Sequence, residues 1–95
     1  MKTARQLKSS TVKHAARVAW RKVADEAVIL DTETAAYYSL DGAGLRIWEL
    51  IGAGRPLADI VSTLAQEYDA APEVLLRDCE GLIRRLRKEN LVEPS

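Results

Sequence analysis

His14 and Cys79 are the side chains of this chain best suited to metal binding or nucleophilic catalysis, and each residue type occurs once. A structural zinc site uses four nitrogen or sulfur ligands, and a catalytic cysteine is activated by a neighbouring base or positive charge. The two residues lie far apart in the sequence, so neither arrangement is indicated. We predict no metal site, and we expect Cys79 to be a small buried residue of the core.

Two further patterns resemble catalytic motifs only in part. The segment Asp41–Gly44 contains two closely spaced glycines, but a phosphate-binding loop also needs a later glycine followed by Lys and Ser or Thr. The carboxylates are scattered along amphipathic segments, which is typical of solvated surfaces. We predict that the chain has no catalytic residue, binds no cofactor and is not an enzyme.

The composition is that of one compact domain. Of the 95 residues, 47% are hydrophobic, and 14 basic residues balance 14 acidic ones. These proportions exclude a fully disordered chain and a collagen-like fibre. The sequence predicts no membrane-spanning segment and no secretory signal. A single cysteine suits a reducing compartment, so we expect a cytoplasmic protein.

The balanced total conceals an uneven distribution of charge. Residues 1–22 contain half of the basic residues and no acidic one, which makes the rest of the chain acidic. We divide the chain into a basic N-terminal tail, residues 1–17, and a folded domain, residues 18–95. The tail could be solvated, fold back on the acidic domain, or contact an acidic partner or nucleic acid. The sequence does not choose among these.

Three short segments at the start of the domain predict a β-meander. They are Val18–Val23, Ala27–Leu30 and Ala36–Leu40, which are separated by polar turns. Consecutive strands joined by tight turns pair in chain order. The third strand is therefore expected at an edge of the sheet.

The rest of the chain has helical periodicity. We predict helices over residues 43–51, with Asp41 as the N-cap, over residues 57–68, and from Pro72 to about Asn90. Strands that precede a run of helices indicate an α+β fold rather than a parallel βαβ arrangement.

The predicted edge strand is one candidate binding surface. Ala36–Leu40 would leave backbone N–H and C=O groups open to a peptide in extended form. The alternative is an ordinary edge that the chain's own tail covers.

The third helix is the other candidate surface. Four of its residues share a narrow apolar stripe that suits the core: Leu75, Cys79, Leu82 and Leu86. Leu76 and Ile83 widen this stripe on one side, next to Glu80 and Arg87. The widening indicates either a broader core contact or the wall of an apolar groove rimmed by charge.

The segment that ends the sheet and begins the first helix resembles the signature of a known family. Residues 30–44 read LDTETAAYYSLDGAG, and Ile47-Trp48 follows. This is similar to the L-D-x-x-x-x-x-Y-Y-x-L-N-x-x-G-x-x-I-W pattern of the PqqD-like family, with Asp41 in place of the usual Asn. The resemblance extends over about Val18–Val92.

The resemblance implies a winged-helix-like fold that serves as a recognition element for ribosomally made, modified peptides. The leader segment of a precursor peptide would add as a strand beside the third strand, in a cleft closed by the third helix. Tyr37, Tyr38 and Ser39 would offer main-chain hydrogen bonds, and Leu76 and Ile83 would receive apolar side chains. The full set of implied peptide-binding residues is Tyr37, Tyr38, Ser39, Leu40, Leu76, Asp78, Glu80, Ile83 and Arg87.

Among the small free-standing members of this family, we prefer the leader-binding subunit of a lasso-peptide pathway. Such a subunit works beside a leader peptidase and an ATP-dependent cyclase. The alternative within the family is the peptide chaperone of pyrroloquinoline quinone synthesis.

The alternative from another class is a DNA-binding winged-helix regulator. The second and third helices would form its helix-turn-helix, and the basic tail would be its arm. The third helix mixes basic residues such as Arg77 and Arg84 with acidic ones such as Glu73 and Glu80, so it has no clean basic face. Nucleic-acid binding is therefore disfavoured, and the oligomeric state is left open.

Overall fold

The computed structural model describes residues 11–95 of the chain. Within these residues, no helix is long and apolar enough to cross a membrane. The strands and helices are β1 (Val12–His14), β2 (Val18–Val23), β3 (Glu26–Asp31), β4 (Tyr37–Asp41), α1 (Gly42–Gly52), α2 (Leu57–Glu67), α3 (Pro72–Lys88) and β5 (Val92–Pro94).

Strands β2, β3 and β4 form an antiparallel meander in chain order. Alternation along each strand sends one set of side chains to the core, and Trp20, Ile29 and Tyr38 lie opposite one another in the register. Ile29 is fully buried, and the other two are half-buried. The prediction of an α+β fold, with a three-stranded antiparallel sheet followed by three helices, is confirmed.

A second, two-stranded sheet joins the two ends of the described chain. β1 pairs antiparallel with β5, so that His14 lies opposite Val92, and Val92 is buried in the core. β1 lies within residues 1–17, the stretch that the charge distribution assigns to a tail. Its residues are part of the folded domain, whereas residues 1–10 of the proposed tail lie outside the described part of the chain.

The helices supply most of the core. Their largest fully buried side chains include Trp48, Ile51, Ile60 and Leu64, together with Cys79. Cys79 is 0% exposed, which confirms its predicted place in the core. Burial raises the pKa of its thiol to about 11, so the reactive thiolate is disfavoured at neutral pH.

The ends of two helices differ from expectation in their details. Asp41 occupies the N-cap position of α1, but its side chain makes no capping hydrogen bond. The backbone makes the turn from strand to helix instead, since Gly42 has a φ of +52°, which favours glycine. α3 ends at Lys88, and Asn90 follows it with a φ of 62°, a common way to terminate a helix.

Candidate functional site

Strand β4 is an edge of the meander, as predicted. It pairs with β3 on one side, and in residues 11–95 no strand pairs with it on the other. Each open edge carries unpaired backbone N–H and C=O groups. The edge of β4 is therefore a template onto which a further strand can add.

The register shows which residues of β4 direct their backbone groups to this edge. Asp31 N–H donates to Ala36 C=O at 2.9 Å, and hydrogen-bonded pairs then recur at every second position of the antiparallel ladder. The backbone of Tyr38 therefore bonds to β3, whereas the N–H and C=O groups of Tyr37 and Ser39 point away from the sheet. The register favours Tyr37 and Ser39 over Tyr38 for main-chain pairing with an added strand, and peptide binding by these residues stays a prediction.

An apolar surface lies where β4 and α3 approach each other. A Cβ atom placed on Gly44 would lie 3.7 Å from the side chain of Leu40 and 3.8 Å from that of Leu82. Leu40 on β4 and Leu82 on α3 thus approach each other over α1, where a residue without a side chain leaves room between them. Both leucines are half-buried and pack against the core. We call this surface the β4/α3 cleft.

Tyr38 and Glu89 close one end of the β4/α3 cleft. The phenol O–H of Tyr38 donates to Oε1 of Glu89 at 3.3 Å. Partial burial raises the pKa of Tyr38, and the Glu89 carboxylate raises it further, so the phenol stays protonated and able to donate at neutral pH.

The flank of α3 that faces β4 carries residues at helical spacing. The contacts described above place Leu82 there, together with Glu89, the residue directly after α3. Asp78 and Arg85 share this flank, because they precede Leu82 and Glu89 by four residues each. Asp78 is among the residues predicted from the resemblance, whereas Leu82, Arg85 and Glu89 are not. The spacing of these residues in the sequence could have identified this flank, because they form a stripe next to the apolar stripe that packs in the core.

The other predicted residues of α3 lie on its opposite flank. Glu80, Ile83 and Arg87 line a pocket with residues of β1 and α2, and Leu76 shares their flank by helical spacing. This placement does not favour contact of these four residues with a peptide on β4, and their part in peptide binding stays a prediction. The widened apolar stripe is present, but α2 packs beside it. The spacing of residues along a helix does not show which element packs against each flank.

The turn that leads into β4 is held by a buried carboxylate. Asp31 is 1% exposed, and its side chain accepts backbone hydrogen bonds from Glu33 and Thr34 and lies 3.0 Å from the guanidinium of Arg17. Burial opposes ionisation, but these partners outweigh it and lower the pKa of Asp31. The Leu-Asp of the family signature thus has a structural role, which is to fix the position at which β4 begins.

The β4/α3 cleft therefore offers backbone groups, apolar side chains and a charged rim. In residues 11–95, no three His, Cys, Asp or Glu side chains are close enough to hold a metal ion. An open strand edge beside an apolar cleft is suited to an extended peptide, because main-chain bonds hold the peptide while the cleft receives every second side chain.

Two solved structures share the fold. One is TbiB1 in complex with the TbiA(beta) leader peptide, which matches with a TM-score of 0.83 and 32% identity over 85% of this chain and 94% of that one. The other is a lasso peptide synthetase B1 complexed with its leader peptide, with a TM-score of 0.82 and 20% identity over 87% of this chain and 98% of that one. At that lower identity the second match shows the fold alone.

Comparison with families agrees with the structural matches. Curated proteins gave no match. Residues 26–92, from the start of β3 to the start of β5, match the family described as coenzyme PQQ synthesis protein D (PqqD). This matched segment contains β4, α3 and the cleft between them. The match confirms the resemblance found in residues 30–48. The chain belongs to the PqqD family.

Proposed function

We propose that this protein binds the leader segment of a ribosomally synthesised precursor peptide, which adds to β4 as a fourth strand of the meander. The observation that carries the proposal is the open edge of β4 beside an apolar cleft. TbiB1, which is 32% identical and has the same fold, was solved with a leader peptide. That relative supports a leader as the ligand of this edge.

The backbone of the leader would pair with Tyr37 and Ser39, whose N–H and C=O groups point outward. Main-chain pairing fixes the register of a peptide but reads little of its sequence. Specificity would come from alternate leader residues, whose side chains enter the cleft between Leu40 and Leu82 and pack on the ring of Tyr38. Each buried apolar side chain contributes about 1.5–3 kcal/mol, from which the ordering of a flexible peptide subtracts. We therefore expect the protein to bind the leader with micromolar to nanomolar affinity.

Charged leader residues would meet the rim of the cleft. Asp78 and Arg85 are exposed along the facing flank of α3, and Glu89 is exposed directly after its end. Exposed ion pairs contribute about 0–1 kcal/mol each and are screened by salt. The rim therefore selects among leaders more than it holds them, and added salt should weaken binding only mildly.

The same proposal makes the protein a carrier rather than a catalyst. It would deliver the bound leader in the cytoplasm to the enzymes of a lasso-peptide pathway, a leader peptidase and an ATP-dependent cyclase. We prefer the lasso pathway on the Leu-Asp and Tyr-Tyr segment of the family signature. The match to TbiB1, over 94% of that chain, supports a protein that carries a leader peptide.

The second candidate is a peptide chaperone of pyrroloquinoline quinone synthesis, which the description of the family favours. Both candidates use the β4/α3 cleft and differ in the enzyme that receives the peptide. Reconstitution separates them: a lasso carrier accelerates cleavage of its precursor by a leader peptidase, whereas a chaperone of quinone synthesis presents its precursor to a radical enzyme.

Strand addition can be tested by removing a single outward N–H group. Ser39→Pro does this on β4, where proline is tolerated because the edge N–H has no partner in the sheet. Lys22 is the matched control position on β2, the other edge strand. Thr32 N–H donates to Arg17 C=O at 3.0 Å, and the alternation along the ladder then directs the N–H of Lys22 away from the sheet.

Calorimetric titration with a synthetic leader should show binding by the wild type and by Lys22→Pro. Binding by Ser39→Pro should be at least about tenfold weaker, since the variant loses a main-chain bond and meets the leader backbone with a ring. Circular dichroism checks that both variants fold. Equal affinity of a folded Ser39→Pro and the wild type would show that no strand adds at β4.

A further inference from the structure

A second concave surface lies across α3 from the β4/α3 cleft. It is a pocket of about 420 Å³ between β1, α2 and α3. We call it the α2/α3 pocket. None of its lining residues belongs to β4, so it is separate from the surface proposed for the leader.

The floor of the α2/α3 pocket is apolar. It is formed by Val12, Leu57, Ile60 and Ile83. Ile60 is 1% exposed, and the other three are half-buried and pack against the core. Their remaining exposed area is apolar surface in contact with water, and pockets of this size, roughly 300–1,000 Å³, hold small ligands or a few side chains. A leucine or an aromatic side chain fits such a floor.

The rim of the same pocket is predominantly positive. Arg55, Arg84 and Arg87 line it against a single carboxylate, that of Glu80. Arg55 is engaged with α2, where its Nε lies 3.5 Å from Asp59. Among the described residues, no ion-pair or hydrogen-bond partner is found for the guanidinium groups of Arg84 and Arg87. Arginine forks are well matched to carboxylates, so two guanidinium groups at this rim are available to an anionic ligand.

We propose that the α2/α3 pocket docks an acidic peptide segment of a partner protein, with one large apolar side chain on the floor and flanking carboxylates on Arg84 and Arg87. Charge complementarity selects this occupant. Residues 1–10 of the chain itself are a poor match, since they carry Lys2, Arg5 and Lys8 and no acidic residue. Because the pocket and the cleft lie on opposite flanks of α3, the protein can hold a leader and a partner at the same time.

The probe is a synthetic acidic peptide, acetyl-Glu-Asp-Glu-Leu-Phe-Glu-Asp-Glu-amide, added to ¹⁵N-labelled protein and followed by NMR. We expect chemical-shift changes at the pocket, centred on Leu57, Ile83 and Arg84. A peptide in which every acidic residue is replaced by lysine should cause none. The absence of shifts at the pocket up to the solubility limit of the acidic peptide would overturn the proposal.

Arg84 and Arg85 provide a matched pair of variants. They are neighbours in the sequence, both are exposed, and they lie on different flanks of α3. Arg84→Glu should weaken binding of the acidic peptide about tenfold or more, because a charge-assisted hydrogen bond becomes a repulsion. Arg85→Glu should leave it unchanged. Equal weakening by both variants would show a diffuse charge effect rather than a pocket.

Two further measurements separate this docking from other uses of the pocket. With a saturating leader peptide present, the acidic peptide should still bind with unchanged affinity, and competition between the two would overturn the proposal. Sedimentation should show that the wild type does not self-associate through this pocket, which would mean an association that Arg84→Glu abolishes. If the wild type self-associates and Arg84→Glu abolishes the association, a second copy of the chain occupies the pocket instead. The outcome does not depend on leader binding, because the acidic peptide is tested with and without a leader.

Discussion

The phenol of Tyr38 donates a hydrogen bond to the carboxylate of Glu89, with their oxygens 3.3 Å apart, across one end of the β4/α3 cleft. Tyr38 lies on the edge strand, and Glu89 directly follows α3. The bond thus joins the two walls between which we place the leader. Since the bond is exposed, its contribution is small, and the ring of Tyr38 is the larger part of the residue's role.

If the ring of Tyr38 matters more than its hydroxyl, two substitutions at this position should have different effects. Tyr38→Phe should change the free energy of unfolding by no more than about 1 kcal/mol and leader affinity by less than about fivefold, because only an exposed hydrogen bond is lost. Tyr38→Ala should weaken leader binding much more, since it removes an apolar wall of the cleft. Urea denaturation and calorimetric titration measure both. A Tyr38→Phe variant that binds as poorly as Tyr38→Ala would make the hydroxyl the essential group.

The two flanks of α3 give a direct test of where the leader lies. Leu82→Ala should weaken leader binding several-fold, because it empties the floor of the β4/α3 cleft, whereas Leu76→Ala should have little effect. Leu76 is 39% exposed on the opposite flank, so it also serves as a control for stability. The same titration with Leu82→Asp and Leu76→Asp sharpens the contrast, provided that circular dichroism shows folded protein. Loss of binding in the Leu76 variants alone would return the leader to the other flank.

Much of the fold could be predicted because its signals are local. Short segments rich in apolar, β-branched and aromatic residues between polar turns identify β2, β3 and β4. The spacing of Leu75, Cys79 and Leu86 identifies the buried stripe of α3. The family signature, which runs through β4 into α1, could be read from residue types alone. These features need only the neighbouring residues along the chain.

The features that were missed depend on residues far apart in sequence. The pairing of β1 with β5 joins three-residue strands from the two ends of the chain, and strands that short show no periodicity. The spacing of Leu76 and Ile83 gives a flank of α3 but not the element packed beside it. The outward direction of Ser39 rather than Tyr38 follows from the register, which sequence alternation leaves undetermined.

Cys79 leads to a prediction about reactivity. Its thiol is fully buried, and burial together with the nearby charges of Asp78 and Glu80 raises its pKa to about 11. A thiol reagent should therefore label the native protein at pH 8 far more slowly than the protein in denaturant. Rapid labelling of native protein would show that this part of α3 opens.

The same residue gives a prediction about stability. Cys79→Ala should lower the free energy of unfolding by roughly 1 kcal/mol, as expected for a small loss of buried volume. Leader affinity should be unchanged, because the side chain of Cys79 reaches neither the cleft nor the pocket. Denaturation and titration of the same preparation check the two statements. A large loss of affinity with intact stability would give the thiol a role in binding.

His14 links β1 to α1 through an aromatic contact. Its ring stacks on that of Trp48, with centroids 3.7 Å apart and planes at 12°, and its Nε2 lies 2.9 Å from the carbonyl oxygen of Trp48. Trp20 meets both rings edge-on. Burial lowers the pKa of His14 and outweighs the raising effect of the hydrogen bond, so the folded protein favours the neutral imidazole.

Folding stability should therefore fall as the pH drops below about 6.5. In this range the unfolded chain gains a proton at His14, while the folded chain resists protonation until the pH is lower, so acid favours the unfolded state. The loss begins near the unfolded pKa and is complete once the pH has passed through the lowered pKa of the folded state. His14→Phe keeps an aromatic ring against Trp48 but cannot titrate, and its stability should change less between pH 7.5 and 5.5. Urea denaturation across this range measures both proteins. Parallel curves would mean that another group carries the pH dependence and that His14 is not held neutral by the fold.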